Sequence, residues 1–404
     1  MMAPMSRYAG LARDQLAVLV PELLLVGQLI DRSGMAWCIG AFGREGMGQV
    51  AIEEWMAASP IYTRRMQRAL SYEGDDVVTI FKGLQLDIGA PPQFMDFRYT
   101  VHDPWHGEFH LDHCGALMDV EPMGPDFVRT MCHDIEDPTF DATAVATNPR
   151  AQIRPIHRPP RTPADRSPHC AWTVVIDPSH PEVGESADCT ALRSSHAALC
   201  DLAPIDAADP GLADYSGPLL SDLDFAAFSH SALVRIADEV CLQMHLLNLG
   251  FGRAVRRRAA PEQATDILTQ QLVGIAGVAA SRIARALSLS DPLTVLTLHP
   301  LLNPAAYVTA TVGEAVRVSA GPAHEDDAWI TLCGPGRLAP LQAAVRAVDP
   351  YLDVEITGDA ADWTAHVVRH EAPADEASEV AVTRFSTGAT FEFQPRRSLP
   401  ITPV

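Results

Sequence analysis

Positive charge is scarce in this chain. Its 404 residues carry 30 Lys plus Arg against 51 Asp plus Glu, for a net charge of −21. A surface of that sign repels nucleic-acid phosphates and anionic lipid headgroups before contact, so neither nucleic acid nor membrane is expected as a partner. Long hydrophobic runs are missing too. The most apolar window, residues 16–30, is interrupted by Pro21 and Glu22 and closed by Asp31 and Arg32, and it is too short to span a bilayer. With no basic segment and small-residue cleavage site ahead of it, the chain reads as cytoplasmic. Cysteine is sparse: eight thiols in a chain this long make no disulfide scaffold. Finally, "GFGRAVRRR" at 250–258 lacks a complete phosphate-loop or dinucleotide pattern around it.

What is present comes twice. "RRMQRALS" at 64–71 returns as "SRIARALS" at 281–288, each preceded by a long apolar helix pattern and followed by an amphipathic stretch and strand-like runs. "EFHLDHCG" at 108–115 pairs with "DAWITLCG" at 327–334, and "DPTFD" at 137–141 with "DPYLD" at 349–353. "AQIRPIHR" at 151–158 pairs with "TAHVVRHE" at 364–371, and "PHCAWTV" at 168–174 with "SEVAVTR" at 378–384. Helices, two strands, a helix and further strands predict an α+β fold with a mostly antiparallel sheet in each copy. The expected organisation is a first repeat at 1–177, an Ala/Asp/Pro/Ser-rich connector at 178–228 and a second repeat at 229–404. The first helices are too apolar to stay exposed, so the copies are expected to bury matching faces as an intrachain pseudo-dimer. Further pairing into a homo-oligomer stays open. The tail "PRRSLPITPV" is expected to be loosely ordered.

The copies differ where chemistry would sit. The first holds His113-Cys114, Cys132-His133-Asp134, His157 and His169-Cys170; the second keeps Cys333 and has Ala344, Val345, Arg346 and Val380 at the other aligned places. The first copy is therefore expected to be the working one and the second a degenerate support. Three thiols with imidazoles suit a tetrahedral zinc site, and Cys114, Cys132 and Cys170 are its candidate ligands, with His133 or His169 as the fourth. A nucleophilic Cys–His pair, such as Cys132 with His169, uses the same residues. Asp134 or Glu136 would orient a ligand or move a proton. The plain alternative is a buried Cys132 beside a solvated acidic helix end.

Arg154, Arg158 and Arg161 form a basic cluster in an acidic chain. On a strand at 151–158, Arg154 and Arg158 share one face and Ile153 and His157 the other. The two arginines would bind a substrate carboxylate, or equally would balance the acids of "CHDIED" as ion pairs. "YTVHDPWHGEFHL" at 99–111 reads as a hairpin turning at Asp103-Pro104, with His102, His106 and His110 on a sheet face or turn.

On these residues the first copy resembles the L-2-amino-thiazoline-4-carboxylic acid hydrolase family. The features in common are a strand ending at Cys114, a helix with Cys132 and Asp134, "ATNPRAQIRP" at 146–155 and a last strand opening "PHCAWTVVI" at 168–176. The arrangement is also similar to vinyl-4-reductase-like ligand-binding domains. That likeness implies a zinc held by cysteines and a carboxylate beside a small-molecule pocket. It covers residues 15–177 and, more faintly, 228–393; the histidines beside the cysteines and "HRPPRTPADRSP" depart from it. The reading is a hydrolase-like enzyme acting on a C=N or amide bond of a carboxylate-bearing small molecule. Cys132, His133, Asp134 and His169 would be catalytic, and Arg154, His157 and Arg158 would bind substrate. The alternative is a non-catalytic small-molecule binding module with structural zinc.

Overall fold

A computed structural model describes residues 5–404. They form an α+β protein in which long helices lie together and two four-stranded antiparallel sheets follow them along the chain. The first helix runs Arg13–Ala69 and turns at Gly43, whose φ of +72° is open to glycine but strained for other residues. Its first arm is apolar on every side around Leu23, Leu24, Leu25 and Val26, all fully buried, so other helices must surround it. The helices His230–Arg256 and Pro261–Leu287 do so. The backbones come close: a Cβ on Gly250 would sit 2.9 Å from the Glu54 carbonyl oxygen, and one on Gly34 would sit 2.8 Å from the Phe251 ring. Buried polar ties lock the arrangement. Ser33 Oγ donates to the Gln271 carbonyl at 2.7 Å, and Arg282 Nε donates to Glu22 at 2.6 Å. Pro261–Leu287 is long and apolar enough to cross a membrane, but 78% of its apolar window is buried inside the protein.

The first sheet has β1 (Met95–Asp103), β2 (His106–Cys114), β3 (Ala151–His157) and β4 (Cys170–Ile176) in the order β1-β2-β4-β3. The second has β5 (Ala310–Val312), β6 (Val316–Val318), β7 (Leu352–Gly358) and β8 (Trp363–Arg369) in the order β5-β6-β8-β7. In β4, burial alternates so that Cys170, Trp172, Val174 and Ile176 face inward. The expected hairpin is present, with its turn between Asp103 and His106.

Several sequence pairings fall on unlike elements. "DAWITLCG" holds a 3₁₀ turn, Trp329–Leu332, where its partner is strand β2. "SEVAVTR" is the helix Ser378–Arg384, where "PHCAWTV" enters β4. "TAHVVRHE" lies mainly on the inner strand β8, while "AQIRPIHR" covers the edge strand β3. These sequence pairs therefore join unlike elements, and Val380, on a helix, is not the positional counterpart of Cys170 on β4. Short apolar runs read alike as strand or helix, which is the physical source of the mismatch.

The connector forms two short helices, Ala187–Leu192 and His196–Leu199, and then docks on the first half, where the Tyr215 and Gly217 carbonyls accept from Lys82 Nζ. The tail expected to be loose is instead tied down. Arg396 pairs with Asp96 at 2.7 Å, Ile401 N–H donates to the Leu219 carbonyl, and Val404 N–H donates to the Val101 carbonyl.

Candidate functional site

Cys114 closes β2, and its Sγ accepts from the Leu117 N–H at 3.4 Å, capping the next helical turn. Cys170 opens β4 directly opposite Leu111 on the neighbouring strand. Cys132 lies on a π-helical turn, Thr130–Ile135, followed at once by the helix Glu136–Ala144. Such widened turns recur at functional sites, and their i→i+5 pitch brings residues four to five apart onto one face. Cys132 and Glu136 are placed that way.

The three thiols are buried, at 3%, 2% and 4% exposure for Cys114, Cys132 and Cys170. Burial pushes the Cys114 thiol up to about 12, and the nearby Glu136 charge pushes it the same way. Burial and Glu136 also raise Cys132 and Cys170; Cys132 feels both other thiols, and Cys170 feels Cys114. Glu136 itself is raised to about 8, first by burial, with Arg158 and Arg32 pulling it back only in part. Its Oε2 is shut off from solvent and has no hydrogen-bond partner. The mutual electrostatic influence of the three sulfurs and the Glu136 carboxyl puts them in one neighbourhood. As they stand they are spread more widely than the 4.8 Å within which ligand atoms of a closed shell gather.

Glu136 also lines a small cavity of about 90 Å³ between both arms of the kinked helix, the first sheet and the helix Glu136–Ala144. Its polar wall is Asp31, Arg32, Asp87 and Glu136; Trp55, Phe97 and Phe140 supply aromatic surface. Arg32 pairs with Asp31 at 2.7 Å, yet its Nε is buried without an acceptor. Behind Asp31 stands Glu54, wholly buried and held well above the usual carboxylate range by burial and by its neighbour Asp31. Burial likewise lifts Asp87 to about 6. A second, more apolar cavity shares Arg32, Met35, Met131 and Ile135 with the first and reaches Phe385.

No family model, curated protein or solved structure matches this chain. The site must therefore be read from its own geometry. Of the residues singled out in sequence, Cys114, Cys132 and Cys170 share one neighbourhood but not the close spacing of a ligand shell, and the others lie elsewhere. Asp134 is exposed and off the cavity wall; the π turn gives the inward position to Glu136 instead. The Nε2 of His133 is committed to the Pro159 carbonyl at 2.7 Å. His169 is half-exposed with its ring 6.1 Å from that of His113, its Nδ1 unpartnered, and its pKa lowered by burial and by Arg161.

The arginines are spoken for. Arg154 binds Asp141 through both carboxylate oxygens at 2.9 Å, Arg158 pairs with Asp137 and lies over the Trp172 ring, and Arg161 pairs with Glu121 at 2.7 Å. The ion-pair alternative thus describes the basic cluster, and none of its members lines the cavity. A register shift between Pro155 and His157 sets His157 opposite Ala171, on the face of His110 rather than that of Ile153. Sequence reasoning passed over Arg32 because it sits just past an apolar run, where a charge reads as a helix end.

Proposed function

We propose that the chain is a small-molecule hydrolase-like enzyme whose cavity takes a carboxylate-bearing substrate and opens a C=N or amide bond, with zinc as its cofactor. Glu136 carries the reading: a carboxyl whose Oε2 is buried without a partner, on a cavity wall and within electrostatic reach of three buried thiols. Neutral thiols and a neutral carboxyl are costly to ionise there unless a cation compensates. Cys114, Cys132, Cys170 and Glu136 would hold the ion, in a donor set of soft sulfur and one oxygen that suits zinc. Four such donors would fill the tetrahedral shell of zinc, so the ion would supply a Lewis acid only where the Glu136 carboxylate gives way to water or substrate. The chain's own groups do the rest. Arg32, with its free Nε, binds the substrate carboxylate. Glu54, wholly buried beside Asp31, is held in its protonated form by burial. Trp55 and Phe140 keep bulk water out. The nucleophilic-thiolate alternative finds no support in thiols that burial keeps protonated.

The likeness to L-2-amino-thiazoline-4-carboxylic acid hydrolases rests on these same cysteines, and the duplication reading is kept with its mismatched pairs set aside. Both sheets share one strand order, and Trp363 pairs with Val318 as Cys170 pairs with Leu111. The second half then has tryptophan where the first has a thiol, as befits a supporting copy. Free thiols and an acidic surface suit the cytoplasm.

One observation favours a second reading, a binding module with structural zinc: none of the cysteines lines the cavity. Incubation of the zinc-loaded protein with 2-amino-thiazoline-4-carboxylate separates the two. The enzyme reading predicts turnover that Glu136→Gln and Arg32→Ala abolish while the fold persists. Binding without turnover supports the module; neither binding nor turnover removes this substrate class.

A further inference from the structure

The β1–β2 hairpin carries a second group of ligand-type side chains, which the proposed centre does not use. One ring nitrogen each of His102 and His106 and one carboxylate oxygen of Glu108 lie within 4.8 Å of one another. Among the described residues this is the set of three His, Cys, Asp or Glu side chains drawn that close.

The strands produce the grouping. His106 and Glu108 are two apart on β2 and so share a face, while Gly107, Phe109 and Leu111 are buried on the other. Thr100 pairs with Glu108 and Val101 with Gly107, and a register shift before Asp103 leaves His102 as the extra residue at the strand end. His102 thereby reaches over the same face. Its Nε2 stands 3.4 Å from Glu108 Oε1, and its ring centroid 4.7 Å from that of His106. Asp103 is not a competitor, since its Oδ1 already accepts from the Trp105 N–H.

A surface ion pair would need one imidazole and the carboxylate. It would leave the second histidine crowded against the first for no return. Two further observations point to a ligand. The His102 Nε2 is sealed from solvent and lacks any hydrogen-bond partner. The two rings converge with the carboxylate on one point instead of splaying into water. A buried ring nitrogen without a hydrogen-bond partner, beside a second imidazole and an anion, is what a cation would satisfy.

We propose that His102, His106 and Glu108 form a separate surface metal site. It binds one divalent transition ion of borderline softness (zinc, cobalt, nickel or copper) through two nitrogens and one oxygen. Two imidazoles argue against calcium or magnesium, which take oxygen shells. Three protein ligands leave at least one position open to water or to a further donor. The site is on the opposite face of the sheet from Cys170 and Trp172, so it stands whether or not the thiol centre holds zinc.

Titration of the full-length, chelator-stripped protein with ZnCl₂ tests this, with wild type, His106→Ala, Glu108→Gln and Cys132→Ser compared. The site predicts one zinc equivalent that His106→Ala and Glu108→Gln each weaken about tenfold or more while Cys132→Ser keeps it. Both hairpin substitutions replace half-exposed side chains, and unchanged far-UV circular dichroism verifies the fold. In the Cys132→Ser protein, where the thiol centre cannot compete, one equivalent of NiCl₂ is expected to broaden the imidazole proton signals of His102 and His106. Identical titrations for wild type and His106→Ala, or signals that stay sharp, would overturn the proposal.

Discussion

Glu136 has a pH signature of its own. Its folded-state pKa, about 8, lies above the ordinary 4.5, so the metal-free fold holds its proton more tightly than the unfolded chain does. The stabilisation is complete below the unfolded value and is lost as pH rises through about 8. A single such proton gives at most about 1.4 kcal/mol of stability loss per pH unit in that window. Chemical denaturation of metal-free protein between pH 5 and 8 is therefore expected to show a falling midpoint, and Glu136→Gln to flatten it. An unchanged slope in the variant would place the proton elsewhere, Asp87 and Asp238 being shifted the same way to about 6 and about 7. The sequence pointed to Cys114, Cys132 and Cys170 because the other half keeps only one of the three cysteines, Cys333, at the places aligned with them. It could not rank Asp134 against Glu136. Ordinary helical spacing does not reveal that Thr130–Ile135 widens into a π turn, and that turn decides which carboxyl points inward.

The helices meet through contacts that admit little change. Arg282 is 1% exposed; it donates to Glu22 and also to the Gly388, Ala389 and Phe391 carbonyls. Arg282→Ala leaves Glu22 without its partner and three carbonyls unmet, a loss of about 3–5 kcal/mol by denaturant midpoint. Gly250→Ala gains about 1 kcal/mol of helix propensity but drives a Cβ to 2.9 Å from backbone. The net expectation is destabilisation of about 1–2 kcal/mol, since overpacking against a rigid helix costs more. A stabilised variant would mean that the two helices can part. Helices of this kind were legible: dense apolar stretches without strand alternation demand burial on all sides. The strands of the second half were not. β5 and β6 are three residues each, too short for a period-2 signal, so the eye passes to the longer apolar run at 327–334 and mistakes a turn for a strand.

The two halves are mutually dependent. Residues 1–177 present the helix Arg13–Ala69, whose buried side lies on His230–Arg256 and Pro261–Leu287. Expressed alone, that half would expose the Leu23–Val26 region, and it is expected to aggregate or to bind hydrophobic dyes as a loosely packed state. A folded, monomeric, cooperatively melting 1–177 fragment would contradict this. The tail belongs to the same argument. Arg396, Ile401 and Val404 fasten it along β1 and the connector through ion pairs of Arg396 with Asp96 and Asp222 and two backbone bonds. Composition alone, with three prolines and two arginines in the last ten residues, gives no sign of partners more than 180 positions away. The account as a whole stands on a cation held between buried sulfur and Glu136. Elemental analysis of exhaustively dialysed protein measures that directly. About one equivalent of zinc is predicted in wild type and in Glu108→Gln, and is lost in both Cys132→Ser and Glu136→Gln. Wild type that retains no metal after zinc loading, or a Cys132→Ser variant that keeps its full complement, would contradict it.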